Sequence, residues 1–321
     1  MDNNTDLRPT KLADIIGMED TRKRLRISID AARARKEPLG HVLIDGSRGL
    51  GKTTLSLAIA NEIGTELKIA NAATIRSFKD LHQVFKDMAV GDVLFIDEIH
   101  ALPKSVEEFL YPACEDFLLN APMGQTRRLV SIEINPFTLI GATTHVGMVS
   151  APLRDRFRFR EQLQPYNNEQ IAKIVAINAK KLGCQISADA ALAISSRSRG
   201  TPRLSVNNLM WVRDFCQSKR NRNITLELTE AAMDEQGIDK LGLTVNDRKY
   251  LHVLYDLFSG GPTGVKALSN TLLIASETLE DDVEPWLLQT GLLIRTSAGR
   301  QLTTEGFRYT QGLVKNGYKP C

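Results

Sequence analysis

The chain has 321 residues, 42% of them hydrophobic and 25% charged, with a formal net charge of +3. These are ordinary globular values, enough for a sizeable core in about two or three domains, and they exclude a disordered or low-complexity chain. The near-neutral balance excludes a uniformly basic nucleic-acid coat, no apolar run approaches the roughly 20 residues of a membrane span, and the polar start at residues 1–6 does not read as a secretory signal.

In chain order, a helical pattern over residues 20–35 leads to the apolar run at 41–45. Directly behind it, residues 46–53 read Gly-Ser-Arg-Gly-Leu-Gly-Lys-Thr, a complete G-x-x-x-x-G-K-[ST] phosphate loop. Gly46, Gly49 and Gly51 let backbone amides curl around phosphate oxygens, and the following helix (52–63) adds its positive dipole end. Lys52 is placed to reach the β- and γ-phosphates, and the Thr53 hydroxyl to ligate Mg²⁺. Further apolar runs at 66–70, 92–97, 137–143 and 160–164 alternate with helical patterns, including one at 106–116. The expectation is an α/β domain with a parallel sheet covered on both faces.

The run Asp-Val-Leu-Phe-Ile-Asp-Glu at 92–98 ends in two carboxylates. Asp97, at the strand end beside the phosphate loop, suits the Mg²⁺ shell, and Glu98 is placed to polarise an attacking water. The run at 137–144 ends Gly-Ala-Thr-Thr. A hydroxyl there can meet the water or the γ-phosphate, although most strand-end threonines only satisfy local hydrogen bonds. Arg154, Arg156, Arg158 and Arg160 stand two apart, so a strand would put all four on one face. That pattern fits a salt-bridged surface or an arginine finger acting on a neighbouring copy. Arg203 opens a helix after Gly-Thr-Pro and fits either a lid over the phosphates or an exposed helix start.

Residues 168–240 read as a small all-helical domain, with patterns at 170–181, 187–197, 203–218 and 227–236, and a linker at 239–244. Three short helical patterns follow (246–258, 263–272 and 276–289), then β runs at 292–296 and 300–304. Three helices and a Gly-turned hairpin predict a winged helix. Its end is basic, with Arg295, Arg300, Arg308, Lys315 and Lys319 against Glu305 alone, which fits a polyanion contact or a solvated tail. Cys114, Cys184, Cys216 and Cys321 stand far apart without a C-x-x-C pair, so zinc and disulfide frameworks are not expected and a cytoplasmic protein is.

These motifs together resemble the AAA+ ATPases and, among them, the RuvB family of Holliday-junction branch-migration motors. The resemblance spans about residues 7–304. It rests on Gly-Leu-Gly-Lys-Thr-Thr (49–54), Asp-Val-Leu-Phe-Ile-Asp-Glu-Ile-His (92–100), Leu-Tyr-Pro-Ala (110–113) and Phe-Thr-Leu-Ile-Gly-Ala-Thr-Thr (137–144). It continues in Pro-Leu-Arg-Asp-Arg-Phe (152–157), Arg-Gly-Thr-Pro-Arg (199–203), Gly-Gly-Pro-Thr-Gly (260–264) and Glu-Pro-Trp-Leu-Leu-Gln-Thr-Gly (284–291). It implies an AAA+ P-loop domain at 1–166, a helical lid at 167–242 and a winged-helix DNA-binding domain at 243–321. The implied roles give phosphate to Gly46, Gly49, Gly51, Lys52, Thr53 and Thr54, and Mg²⁺ to Thr53 and Asp97. Glu98 is implied as the base, Thr144 as sensor 1, Arg156 as the trans finger with Arg154 the runner-up, and Arg203 as sensor 2. Around adenine the resemblance places Arg8, Ile15, Ile16, Tyr166 and Pro202; on DNA it places Arg295 and Arg300. The implied assembly is a hexameric ring that burns ATP on double-stranded or four-way-junction DNA, loaded by RuvA.

Four departures stand out. The family's Pro-Pro after the first loop glycine is Ser47-Arg48, and the Gly after Arg-Asp-Arg-Phe is Arg158. A wing arginine is replaced by Ala298, and the hairpin that meets RuvA is the shorter, more basic stretch at 120–128, which argues against that partner. Two other functions fit the same motifs: an AAA+ loader acting on a protein partner at DNA, and a DNA-binding switch with little turnover, against which Glu98 and Thr144 speak.

Overall fold

The computed structural model describes residues 7–123 and 128–315. The chain divides into two compact units, Met1–Leu182 with Gly200–Val206, and Gly183–Arg199 with Asn207–Cys321.

In the first unit α1 (Glu19–Arg35) precedes β1 (Val42–Asp45) and α2 (Lys52–Ile63). Next come β2 (Leu67–Asn71), α3 (Phe78–Lys86), β3 (Val93–Asp97) and α4 (Lys104–Glu115). A hairpin of β4 (Leu118–Met123) and β5 (Arg128–Glu133) leads to β6 (Thr138–Thr143), α5 (Ala151–Asp155), β7 (Phe159–Gln162) and α6 (Asn168–Lys181). Five strands form one sheet in the order β2-β3-β6-β1-β7, and every neighbouring pair is parallel.

Alternation along the strands explains how this sheet is covered. Leu43, Leu94, Ile96 and Leu139 enter one cluster with Leu81 and Phe85 of α3 and Val106 and Leu110 of α4. Their strand neighbours Val42, Ile44, Val93, Phe95, Ile140 and Ala142 enter a second cluster with Leu25 and Ile29 of α1 and Leu55 and Ile59 of α2. A period of two in the strands therefore fills two helix-covered faces at once.

Three features differ from the sequence expectation. Helix α3 escaped it, although Ser77 and Asp80 form a reciprocal capping box that marks its start. The arginine stretch does not form the single strand that would put all four on one face: Ser150 caps α5 with Pro152 in its first turn, so Arg154 is helical, and the strand expected from 160 begins at Phe159. The four arginines thus do not share a face. The lid region is not wholly helical, because β8 (Gln185–Ile186) and β9 (Asn223–Ile224) make a short parallel pair.

The second unit adds α7 (Ala188–Ser196), α8 (Pro202–Ser218, whose first residues belong to the first unit) and α9 (Leu226–Glu235). Then follow α10 (Val245–Asp256), α11 (Val265–Leu272) and α12 (Ser276–Thr278), a π-turn at Leu279–Val283, and α13 (Glu284–Gln289). β10 (Leu293–Thr296) and β11 (Gly299–Leu302) pair antiparallel, and α14 (Thr304–Lys315) closes the described chain. Thr263 bridges to Arg300 and gives the wing a third strand position. That approach requires Gly299, since a Cβ there would stand 2.5 Å from the Thr263 carbonyl oxygen. Tyr250, Leu254, Leu268, Leu279, Leu287, Leu293 and Leu302 form the core of this winged helix.

At its centre lies a charge. Glu284 is fully buried and accepts hydrogen bonds from Tyr250 Oη at 3.0 Å, Arg295 Nε at 2.7 Å and Arg300 Nε at 3.0 Å. Arg300 also pairs with Glu280. A carboxylate in such a place is tolerated because it is fully paired; removal of one partner typically costs about 3–5 kcal/mol.

The first unit holds a neutral buried group of the opposite kind. His41, just before β1, has its Nδ1 accepting from the Leu139 backbone N–H at 2.9 Å, so Nε2 carries the hydrogen and donates to the Cys114 carbonyl at 3.0 Å. Burial lowers its pKa below the ordinary 6.5, only partly offset by the Cys114 bond. The unfolded chain therefore takes up this proton more readily, and the stability His41 contributes is lost as pH falls below about 6.5. His41→Leu, which leaves both backbone partners unpaired, is expected to cost about 2 kcal/mol at pH 7.5. Calorimetric unfolding between pH 7.5 and 5 should also show a smaller loss of stability in the variant than in the parent chain; an equal loss contradicts the assignment.

Candidate active site

The sheet brings three strand ends together. β6 lies between β1 and β3, with Asp45 in register with Thr143. The Gly46 N–H donates to the Thr143 carbonyl at 3.2 Å, tying the start of the phosphate loop to β6. Asp97 ends β3, and its Oδ1 accepts from the Glu98 N–H at 3.1 Å. Glu98 itself adopts a left-handed conformation (φ 48°), a costly one for a residue with a side chain and typical of sites where geometry is imposed.

The loop has the form of a phosphate cradle. Gly49 and Gly51 both have positive φ (82° and 100°), and Gly51 caps α2. A Cβ on Gly49 would stand 2.7 Å from Thr201 Cγ2 and 3.0 Å from Arg203 Cβ, so only glycine fits. The buried Lys52 extends back along the loop, its Nζ donating to the carbonyls of Gly46 at 2.6 Å and Ser47 at 3.3 Å. Burial pulls the Lys52 pKa down, while Glu98, Asp97 and Asp45 act in the opposite direction. Thr53 and Thr54 follow in the first turn of α2, half-buried. This cradle fits a nucleoside triphosphate. Among the described residues no cluster of three or more His, Cys, Asp or Glu could hold a metal unaided. The donor set of one hydroxyl (Thr53) and one carboxylate (Asp97) suits a Mg²⁺ that takes its remaining ligands from phosphate and water.

Thr144, the first residue beyond β6, meets Glu98 directly: its N–H and Oγ1 both donate to Glu98 Oε2, at 3.2 and 3.0 Å. Two histidines that sequence reasoning did not single out complete this corner. His100 Nδ1 lies 2.8 Å from Thr143 Oγ1 and 3.3 Å from Glu98 Oε2, and His145 Nδ1 lies 2.9 Å from Thr144 Oγ1. Burial lowers the His100 pKa, against a smaller opposing pull from Glu98. Their only sequence signal was position, each one or two residues beyond a site residue.

On the base side, Ile15 and Leu12 are buried in one cluster with Leu50, and Tyr166 packs against it. A Cβ on Gly17 would stand 3.2 Å from Tyr166 Cε1 and one on Gly51 4.0 Å from the Tyr166 hydroxyl, and the Tyr166 N–H donates to the Gly200 carbonyl at 2.9 Å. Burial raises the Tyr166 phenol to about 12. Ile16 and Pro202 are half-buried and Arg8 is exposed. Arg22, also missed, shapes this edge: its Nη1 donates to the Ile15 carbonyl at 2.6 Å and to those of Leu12 and Ala13. Arg203 donates its N–H to the Gly49 carbonyl at 3.4 Å, so the start of α8 rests on the phosphate loop.

Arg156 does not join this group. Its Nη2 donates to Glu115 at 3.1 Å, its Nη1 to the Pro152 carbonyl at 3.3 Å, and its guanidinium lies 5.2 Å from the Tyr111 ring centre. Arg160 pairs with Asp155 and Arg158 lies over Phe159.

In the second unit, the basic end counted along the chain is offset in space. Arg295 and Arg300 both pair with Glu284, and Arg308 pairs with Glu305. The side chain of Arg295 is 43% exposed and that of Arg300 14%. Lys319 and residues 124–127 of the hairpin lie outside the described residues.

Known proteins agree with this geometry. The Holliday junction DNA helicase RuvB P-loop domain family matches residues 7–163, the RuvB AAA lid domain 166–239 and the RuvB C-terminal winged helix domain 240–311. The chain is 47% identical over 310 residues to the Holliday junction branch migration complex subunit RuvB of Rhodopirellula baltica, covering 96% of this chain and 85% of that protein. The Thermotoga maritima RuvB Holliday junction branch migration motor superposes with a TM-score of 0.85 at 38% identity, covering 95% of this chain and 98% of that one. A mutant of the same Thermotoga protein gives 0.86 at the same identity and coverage. The cradle, the strand-end carboxylates, the lid and the wing therefore have one common explanation: the chain belongs to the RuvB family of AAA+ DNA helicases.

Proposed function

We propose that this chain is an ATP-hydrolysing ring motor that translocates on double-stranded or branched DNA and drives Holliday-junction branch migration. The observation that carries the reading is Glu98 held against Thr144 at the mouth of the phosphate loop, which a mere nucleotide-sensing switch does not need. In this reading residues 1–166 are the ATPase domain, 167–242 the lid and 243–321 the DNA-binding winged helix.

Backbone amides of the loop and the Lys52 ammonium receive the β- and γ-phosphates, with Gly46, Gly49, Gly51 and Thr54 shaping the cradle. Thr53 and Asp97 would hold Mg²⁺, which would neutralise phosphate charge as the γ-phosphoryl is transferred. Glu98 takes the proton from the attacking water, and Thr144 orients that carboxylate. Arg203, already resting on Gly49, closes over the phosphates. Arg8, Ile15, Ile16, Tyr166 and Pro202 enclose the adenine.

In this reading a cation from a neighbouring copy completes the corner. Arg156, paired with Glu115 and with 24% of its side chain exposed, is the residue this reading assigns to a neighbouring copy's phosphates, so that the site is completed between subunits of a hexameric ring. Arg154 is the alternative finger.

On DNA, the segment from Ser276 to Glu284 carries Glu277, Glu280, Asp281, Asp282 and Glu284, which disfavours its entry into a groove. Phosphate contact then falls to the wing, with Arg295 the exposed contact and Arg300 the strut beside it. Such binding reads shape and backbone rather than bases. Among the described residues no helix is long and apolar enough to cross a membrane; a cytoplasmic location belongs to the same reading. The family's loader, RuvA, is a partner of the same reading, although the hairpin facing it departs from the family pattern.

Glu98→Gln should bind ATP as tightly as the parent chain and lower turnover by about a hundredfold or more, measured as steady-state ATPase with nucleotide binding. Arg156→Ala should likewise keep binding and lose about a hundredfold or more in rate; near-normal rate at low protein concentration contradicts a shared site. ATPase measured without DNA, with linear duplex and with a four-way junction should rise with DNA, fall at higher salt, and accompany unwinding of the junction by the chain alone. Stimulation only by a partner protein would identify a loader, and turnover below a few per minute in every condition a switch (typical enzymes run near ten per second).

A further inference from the structure

We propose that His100 is a positioning residue of the catalytic carboxylate: together with Thr144 it clamps one oxygen of Glu98 and leaves the other to the attacking water. The proposal rests on the reading of Glu98 as the base.

Three groups converge on Glu98 Oε2: the Thr144 N–H at 3.2 Å, the Thr144 hydroxyl at 3.0 Å and His100 Nδ1 at 3.3 Å. Nothing among the described residues hydrogen-bonds Oε1, and the side chain keeps 25% of its surface exposed. The two oxygens of one carboxylate are thus in unlike surroundings, one bonded by Thr144 and one without a hydrogen-bond donor among the described residues. A free carboxylate rotates about its last bond and spends little time with a given oxygen aimed at a given water; a clamped one does not.

The hydrogens can be assigned. Glu98, ionised, only accepts, so the Thr144 hydroxyl donates to it and must accept from its other neighbour, His145 Nδ1 at 2.9 Å. His145 therefore carries hydrogen on Nδ1. Its backbone N–H is fixed as well, donating to Thr143 Oγ1 at 2.9 Å. His100 Nδ1 faces both Thr143 Oγ1 at 2.8 Å and Glu98 Oε2 at 3.3 Å. The first is the hydrogen bond and the second an ion-pair contact: a lone pair on Nδ1 would repel the carboxylate, whereas a hydrogen there turns the contact attractive. The result is a closed circuit, Glu98–Thr144–His145–Thr143–His100, whose two ends lie against the same oxygen of Glu98: Thr144 through hydrogen bonds, His100 through an ion-pair contact. The two imidazoles pack edge to face, 5.2 Å between centres, so each limits the other's movement. The left-handed backbone of Glu98 supplies the third restraint.

The test compares His100→Ala, His100→Asn and His100→Gln in the full chain, alone and combined with Glu98→Gln, by steady-state ATPase and by binding of a fluorescent ATP analogue. Asn presents an amide N–H where Nδ1 stood; Gln reaches past it. His100→Ala and His100→Gln should lose roughly tenfold in kcat with nucleotide affinity within about twofold, and His100→Asn should stay within about threefold of the parent. In the Glu98→Gln background His100→Ala should change the residual rate by less than about twofold, because the residue acts through Glu98. An unchanged kcat in His100→Ala overturns the proposal, as does the same fold-loss with Glu98 already removed. Asn and Ala variants equally impaired, both with weakened nucleotide binding, would show a packing role instead. Should Glu98→Gln turn over at the parent rate, the base assignment falls and this proposal with it. A silent Glu98→Gln with an active His100→Ala removes this proposal alone.

Discussion

The parallel pairing of β3, β6 and β1 is the constraint from which the site follows. Their side chains alternate between two helix-covered clusters, so a slip of one residue would move every strand's apolar set to the wrong face. Register is therefore fixed by burial. Once it is fixed, Gly46, Glu98 and Thr144, each the first residue beyond its strand, come to one edge, where Gly46 bonds the end of β6 and Glu98 bonds Thr144. Chemistry collects at the carboxyl ends of such strands because the backbone there leaves the sheet and can turn, as Glu98 does with its positive φ.

Much of this was legible before the coordinates. The phosphate loop, the strand ending in Asp97 and Glu98, and the Ala-Thr-Thr strand end read directly, because short apolar runs bounded by Gly and charged residues have few alternative conformations. The arginines from Arg154 to Arg160 read less directly: in a strand all four would share a face, but Ser150 and Pro152 start a helix there and only the end of the stretch is strand. Helix α3 was marked by its capping box and overlooked. His100 and His145 were marked only by position beside a site residue, and Arg22 not at all, since each acts through contacts made only when separate segments meet.

The winged helix makes the same point about charge. Counted along the chain, its end is basic; folded, Arg295 and Arg300 converge on Glu284, a fully buried carboxylate from an earlier helix. Net charge in a window of sequence is not the field at a surface. The arrangement stiffens the wing by tying β10 and β11 to the start of α13, and it leaves Arg295, half in solvent, better placed than Arg300 to touch a phosphate.

In the proposed function the finger of the nucleotide corner comes from another copy, and Arg156 is engaged by Glu115 and Tyr111 within its own chain. The most direct measurement mixes two silent variants, Glu98→Gln and Arg156→Ala, and follows ATPase against mixing ratio. The first keeps its finger and the second keeps its cradle, so mixed rings contain some interfaces with both. Activity that is absent at either extreme and maximal near equal proportions is the predicted result. A mixture as silent as its components at every ratio, under conditions where both variants assemble, would contradict the account.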